Sequence, residues 1–144
     1  MEKKTAFSAQ ELGRAHAALL HDLQTLEQML RSGGGPGVRE LRSRLAAIHT
    51  HITNHFGYEE QSGWANPVLM QQPRLEHAVE SLLQEHRELV AGLETLLEEA
   101  VGHDILPAGL SEKVLRWIQR VRAHEAREND LLERAFIEDL GAGD

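Results

Sequence analysis

Residues 114–132 read VLRWIQRVRAHEARENDLL, and the apolar positions in this stretch recur every three or four residues. That period is typical of an α-helix, in which residues three and four apart lie on one face. His124 and Glu128 fall inside the apolar face rather than opposite to it. The stretch therefore predicts a long amphipathic helix whose buried face carries an imidazole and a carboxylate.

The same helical pattern occurs in three other segments of the chain. The four helices are predicted over about residues 8–31, 38–60, 73–101 and 111–139. Ser8 and Ser111 are expected to cap the first and the fourth helix, because a serine hydroxyl can accept from a backbone N–H of the first turn. Glycine and proline interrupt the pattern between the helices, and both residues break helices. Connections of this length join antiparallel neighbours, so we expect residues 1–144 to form a single all-α domain, an up-down-up-down antiparallel four-helix bundle.

Composition excludes several classes of function. The net charge of −8 disfavours binding to nucleic acid or to an anionic membrane surface, since both are negatively charged. No segment approaches the roughly 20 apolar residues that a membrane span needs, and no apolar stretch follows Lys3 and Lys4 as in a signal peptide. We therefore expect a cytoplasmic protein. The absence of cysteine excludes disulfides, thiolate nucleophiles and cysteine-bound metal centres.

Nine histidines are present, and four of them lie on the apolar faces, one on each helix. Glutamates follow two of these histidines at the same four-residue spacing. An isolated ionised carboxylate in an apolar interior is very costly, and bound metal cations would offset that cost. Residues four apart stack on one face of a helix, and a dinuclear set of imidazoles and carboxylates in a bundle core favours iron. The predicted metal ligands are His16, His55, Glu59, His86, His124 and Glu128.

Other interpretations of single residues stay open at this point. One inward histidine is more often a hydrogen-bonded core residue than a ligand, and His21 competes with His16 as the inward residue of the first helix. His51 is either close to the centre or exposed, and Tyr58 either hydrogen-bonds a ligand or packs at the edge of the core. The remaining histidines are expected to be solvated: His49, His77 and His103.

As an ordered set, these motifs resemble the hemerythrin-like family, whose domains bind metal cations through histidine and glutamate. The resemblance extends over about residues 8–140 and includes Leu12-x-x-x-His16, His55-Phe56-x-x-Glu59-Glu60, Pro73-Arg74-Leu75, Glu85-His86-x-x-Leu89 and His124-x-x-x-Glu128. It implies an up-down four-helix bundle with two iron ions, bridged by an oxo or hydroxo group and by two carboxylates. It further implies that the bridges are Glu59 and Glu128 and that the terminal ligands are His16, His55, His86 and His124.

The chain departs from the oxygen-carrying members of that family at two positions. Leu82 stands four residues before His86, where those members have a histidine, and Asn129 stands five residues after His124, where they have an aspartate. The chain thus resembles the four-histidine, two-glutamate branch. That branch includes proteins implicated in repairing iron centres under nitric oxide or peroxide stress, and iron- or oxygen-sensing domains.

The resemblance implies a di-iron protein that binds or reacts with a small molecule such as O2, NO or hydrogen peroxide, in iron-centre repair or in the response to oxidative or nitrosative stress. The alternative is a module that senses oxygen or iron, or stores iron, without turnover. A metal-free helical interaction domain is a third possibility. The sequence contains no nucleophile–base arrangement or phosphate loop, so any turnover would belong to the metal. No redox partner is indicated by the sequence.

Overall fold

The computed structural model of the protein describes residues 9–32, 36–63, 66, 69–70 and 72–142. Its long helices are α1 (Ala9–Arg31), α2 (Val38–Ser62), α3 (Glu76–Ala100) and α4 (Leu110–Ala142). One 3-10 turn, Pro73–Leu75, leads into α3. These described ranges contain no strand, and the predicted all-α class is confirmed. In the same ranges no helix is long and apolar enough to cross a membrane.

Each helix packs against its neighbour in the sequence, and α4 packs back against α1 to close the ring. The four helices thus form the predicted up-down-up-down bundle. The contact between α3 and α4 is close, because Gly92 on α3 faces Trp117 on α4. A β-carbon at Gly92 would lie 3.4 Å from the indole ring of Trp117. The indole nitrogen of Trp117 donates a buried hydrogen bond of 2.9 Å to the carbonyl oxygen of Leu89.

Buried positions follow one another at alternating spacings of three and four residues, as in helices that wrap around one another with a left-handed supercoil. In α4 this spacing includes Trp117, Val121, His124, Glu128 and Leu131, all of them buried. Leu132, which the apolar pattern of residues 114–132 places on the inward face at 3.6 residues per turn, is half-buried and packs against the cluster of Leu75, Val79, Leu82 and Leu131. Leu131 is the more deeply buried of the two residues, as supercoiling to an effective repeat of 3.5 residues favours.

The structure corrects the predicted ends of three helices. α3 begins at Glu76, after the 3-10 turn, rather than at residue 73. α2 ends at Ser62 and is capped by Gly63, whose φ of 70° is left-handed and whose N–H donates to the carbonyl oxygen of Glu59. α4 begins at Leu110, so Ser111 is not its cap. The carbonyl of Gly109 accepts the first helical hydrogen bond there, from Lys113 at 3.1 Å. α4 also continues through Gly141, against the prediction. Ser8 and the side chains of Leu12 and Ala135 lie outside the described residues.

The apolar core is divided into two parts along the bundle axis. The larger cluster includes Leu23, Leu45, Leu93 and Ile118. A smaller cluster at the other end is formed by the buried residues Leu75, Val79, Leu82 and Leu131. On α3 and α4 the buried residues between the two clusters are histidines and glutamates. The bundle therefore holds a polar layer between two apolar layers.

Candidate metal centre

Seven buried polar residues make up this layer, and each is at most 7% exposed. They come from all four helices: His16, His55, Glu59, His86, His124, Glu125 and Glu128. Six of them are the residues that the sequence predicted to face inward. The seventh, Glu125, was missed.

Four of these residues form one group, called here the four-residue group: His16, His55, Glu59 and Glu125. One nitrogen or oxygen atom of each lies within 4.8 Å of the others. Nε2 of His16 lies 2.8 Å from Oε2 of Glu125. Nε2 of His55 lies 2.8 Å from Oε1 of Glu59 and 3.5 Å from Oε1 of Glu125. Helices α1, α2 and α4 thus bring two imidazoles and two carboxylates to one point.

The three-residue group consists of His86, His124 and Glu128, whose ligand atoms also lie within 4.8 Å of one another. Oε2 of Glu128 lies 3.4 Å from Nε2 of His124 and 3.8 Å from Nε2 of His86. The other oxygen of Glu128, Oε1, lies 2.9 Å from Nε2 of His16. One carboxylate therefore touches both groups, as a residue that bridges two metal ions must.

The imidazole rings of the three-residue group are held in two different ways. The His86 ring stacks on Phe56, with centroids 3.9 Å apart and planes 7° apart. Nδ1 of His124 instead lies 2.6 Å from Oε1 of Glu85. Arg127 donates to both oxygens of Glu85, at 2.5 and 2.6 Å. A carboxylate on the far nitrogen of a histidine fixes the ring orientation and leaves Nε2 free to act as a ligand.

The charges in the layer perturb the pKa values of its members. Burial acts to lower the pKa of His16, but its pairing with Glu125 and Glu128 outweighs burial and raises that pKa to about 9. Burial acts to raise the pKa of Glu125, and its pairing with His16 and His55 lowers it below the ordinary value. At neutral pH without metal, His16 is therefore a cation beside an ionised Glu125.

Glu59 and Glu128 are neighbouring carboxyl groups whose pKa values shift in opposite directions. Burial raises the pKa of Glu59, and its hydrogen bond to Glu128 and the charge of Glu128 raise it further. Burial acts in the same direction on Glu128, but the neighbouring imidazoles of His124, His16 and His86 hold its pKa below the ordinary value. Glu59 therefore holds a proton, and Glu128 carries the negative charge within 3.8 Å of the Nε2 atoms of three histidines.

Several ligand atoms in the layer have no hydrogen-bond partner among the described residues. They include both ring nitrogens of His55, both ring nitrogens of His86, Nε2 of His124 and both carboxylate oxygens of Glu125. Buried polar atoms in proteins are nearly always hydrogen-bonded, so such a concentration needs a cause. These atoms nevertheless lie close together, since one ligand atom of each residue lies within 4.8 Å of the others in its group. Imidazole and carboxylate ligands that converge in this way fit a metal centre.

The remaining histidines lie away from the layer. His21, the rival of His16, is exposed, as are His77 and His103. His51 is exposed and pairs with Asp22. His49 is half-buried rather than fully solvated, with Nε2 3.4 Å from Oε2 of Glu94. Tyr58 donates a hydrogen bond of 3.1 Å to Glu11 on α1.

Comparison with known protein families agrees with this geometry. A profile of the hemerythrin HHE cation binding domain matches residues 9–136. The chain belongs to this hemerythrin family. None of the curated proteins or solved structures compared with it matches the chain.

The hemerythrin-like domain keeps its two departures from the oxygen carriers in the folded structure. Leu82 is buried in the smaller apolar cluster, beside the layer. Asn129 is exposed and lines a surface cavity. Neither position supplies a ligand atom to the two groups, so the histidines and glutamates support the four-histidine, two-glutamate branch.

Two surface cavities reach the layer of the hemerythrin-like domain from opposite sides. The first, of about 410 Å³, lies between α2 and α3 and is lined by Phe56, Gly57 and His86. The second, of about 480 Å³, lies between α1 and α4 and is lined by His16, Glu125 and Asn129. Each cavity therefore leads to one of the two groups.

Proposed function

We propose that this domain holds two iron ions in its polar layer and that the resulting di-iron centre binds or reacts with O2, NO or hydrogen peroxide. The observation that carries the proposal is the convergence of seven buried imidazole and carboxylate groups on two neighbouring points. Without cations, so many buried titratable groups would be very costly in an apolar core. Bound iron would supply open coordination positions and a change of oxidation state.

In this proposal His16 and His55 hold one ion, and His86 and His124 hold the other. Glu59 and Glu128 join the two ions, since Glu128 touches both groups and Glu59 is hydrogen-bonded to it. The apolar clusters on either side of the layer limit the access of bulk water. The cavity beside His86 gives a small molecule access to the second ion.

The first test is to load the purified apo protein with iron(II) without air, and to measure iron content and the optical spectrum before and after air is admitted. We expect two irons per chain and ligand-to-iron charge-transfer bands after exposure to air. Oxidation that does not reverse on degassing would favour reaction over reversible carriage. A reversible change in oligomeric state with iron, seen by gel filtration, would instead favour an iron sensor.

His16→Ala and His21→Ala form a matched pair for this test. His16 is buried in the four-residue group, whereas His21 is exposed on the same helix. Iron content and the charge-transfer bands should fall in His16→Ala and remain unchanged in His21→Ala. A folded wild-type chain that takes up no iron would contradict the proposal and leave the metal-free interaction domain.

A further inference from the structure

Glu125 lies in the polar layer but outside the ligand pattern that the family resemblance implies. Its side chain is 4% exposed, and neither of its carboxylate oxygens has a hydrogen-bond partner among the described residues. A buried carboxylate without hydrogen bonds is costly unless a cation compensates it. His16 supplies part of that compensation, because its Nε2 lies 2.8 Å from Oε2 of Glu125. The other oxygen, Oε1, lies 3.5 Å from Nε2 of His55.

Glu125 reaches these histidines because of its place on α4. It lies one heptad after Ile118, a fully buried residue of the larger apolar cluster. His124, the next residue along the chain, lies on the other side of the same face, where it contacts Glu85 of α3. Adjacent residues 124 and 125 therefore direct an imidazole toward the three-residue group and a carboxylate toward the four-residue group.

We propose that Glu125 is a further metal ligand and that it completes a four-ligand site with His16, His55 and Glu59. The inference rests on the proposed function in one respect, namely that the layer binds metal. The four ligand atoms already lie within 4.8 Å of one another. Two imidazoles and two carboxylates suit a divalent first-row metal, and two carboxylates neutralise its charge.

This ligand makes the two metal positions unequal. Glu59 and Glu128 would serve both positions, whereas Glu125 lies only in the four-residue group, so an ion in the three-residue group keeps more positive charge and more open coordination positions. Affinity for a divalent cation rises with the number of charged ligands. The four-residue group should therefore fill first and bind its ion more tightly. The three-residue group is then the position at which a small molecule binds.

The cavity between α1 and α4 supplies an entry path to the tighter position. Glu125 and His16 line this cavity, together with Gln24, Arg122 and Asn129. An ion that enters there meets the carboxylate of Glu125 before it reaches Glu59, which is fully buried.

The test is an anaerobic calorimetric titration of the apo protein with iron(II), for the wild type and Glu125→Gln. The wild type should show two binding events of different affinity. Glu125→Gln should weaken the tighter event by at least about tenfold, the scale on which even outer-shell changes act, and leave the weaker event within about twofold. Glu133→Gln is the control, since Glu133 is exposed on the same helix. It should match the wild type.

Two unchanged dissociation constants in a folded Glu125→Gln protein would overturn the proposal. If Glu125 serves merely as the partner of protonated His16, the variant will lose apo stability in urea and keep both affinities. If Glu125→Gln fails to fold, Glu125→Asp keeps the charge with a shorter reach, and an unchanged tighter event in that variant would also overturn it. A wild type that binds no metal would instead remove the proposed function, so the two failures are distinguishable.

Discussion

The two groups of the polar layer are built from similar ligands but are supported differently. The four-residue group has two carboxylates, and its imidazoles lie edge-on to each other with ring centroids 4.6 Å apart. The three-residue group has one carboxylate, but its imidazoles are braced from outside, His86 by the Phe56 ring and His124 by Glu85. The four-residue group therefore has more negative charge, and the three-residue group has the more firmly held imidazole rings.

This difference assigns separate tasks to the two groups. A group rich in carboxylates retains its cation, because each anionic ligand adds to the affinity. A group with fewer ligands and firmly oriented imidazoles leaves coordination positions open without loss of geometry. The comparison predicts that variants in one group leave the other largely intact, except at the residue that belongs to both.

The largest effect is expected from Glu128→Gln, because this carboxylate lies 2.9 Å from His16 in one group and 3.4 Å from His124 in the other. An amide is a poor replacement for a bridging carboxylate, since it carries no charge. Both ions should bind at least about a hundredfold more weakly. Loss of an outer-shell partner weakens metal binding about tenfold, and loss of a shared ligand should cost about twice as much free energy of binding. Metal analysis after dialysis measures the loss. Retention of one ion at wild-type affinity would show that Glu128 does not join the groups.

A smaller effect, limited to the three-residue group, is expected from Glu85→Gln. The substitution removes the carboxylate charge that lies beside Nδ1 of His124. Changes of this kind cost about 10–100-fold in metal affinity. Calorimetric titration should show a weaker second event and an unchanged first one. Glu88→Gln is the control, because Glu88 lies on the same helix and pairs at 3.8 Å with Arg120 on the surface. Equal weakening of both events would contradict the separation of the groups.

Metal binding should release protons, and mainly from the four-residue group. The pKa of His16 is raised to about 9, so below pH 9 His16 holds a proton that a metal must displace. Glu59, whose pKa is also raised, holds another. Affinity should therefore increase as the pH rises from 6 to 8, with about two protons released per ion in this group. The number of protons released is measured by calorimetric titration with manganese(II) in two buffers of different ionisation enthalpy. No proton release would contradict the charge states described for the apo layer.

The smallest effect concerns Gly57, which lines the cavity beside His86. A β-carbon at Gly57 would meet no described atom within 4 Å. Alanine is favoured over glycine inside a helix by about 0.5–1 kcal/mol. Gly57→Ala should therefore increase the free energy of unfolding of the apo protein by about that amount, as measured in urea, without a change in metal affinity. A loss of stability would show that the cavity wall tolerates no added methyl group.

Much of the fold could be predicted from the sequence, because hydrophobic period and helix breakers are local signals. The apolar stripes gave the four helices and their buried faces, and leucines such as Leu23, Leu45 and Leu93 are fully buried. The predictions differed from the structure where supercoiling decides which residue is buried and where backbone hydrogen bonds decide where a helix begins. Leu131 is buried more deeply than Leu132, as a 3.5-residue repeat favours, and Gly109 rather than Ser111 precedes α4.

Six members of the polar layer could be predicted because each lies on the stripe of its own helix. Glu125 was missed because the His-x-x-x-Glu spacing from His124 leads to Glu128 and passes over residue 125. A signal was present, since Glu125 lies four residues after Val121 and seven after Ile118, both buried. The contacts that orient the His124 ring could not be predicted from the sequence. Glu85 and Arg127 lie at the edge of the helical faces, and their pairing with His124 depends on how α3 and α4 pack.

The most direct measurement is a crystal structure of the iron-loaded protein with anomalous diffraction data collected at the iron absorption edge. We expect two anomalous peaks within the polar layer, one among His16, His55, Glu59 and Glu125 and one among His86, His124 and Glu128. At limiting iron, the peak in the four-residue group should be the stronger. Peaks on the protein surface, or a layer that holds no iron in protein shown to be loaded, would contradict the account.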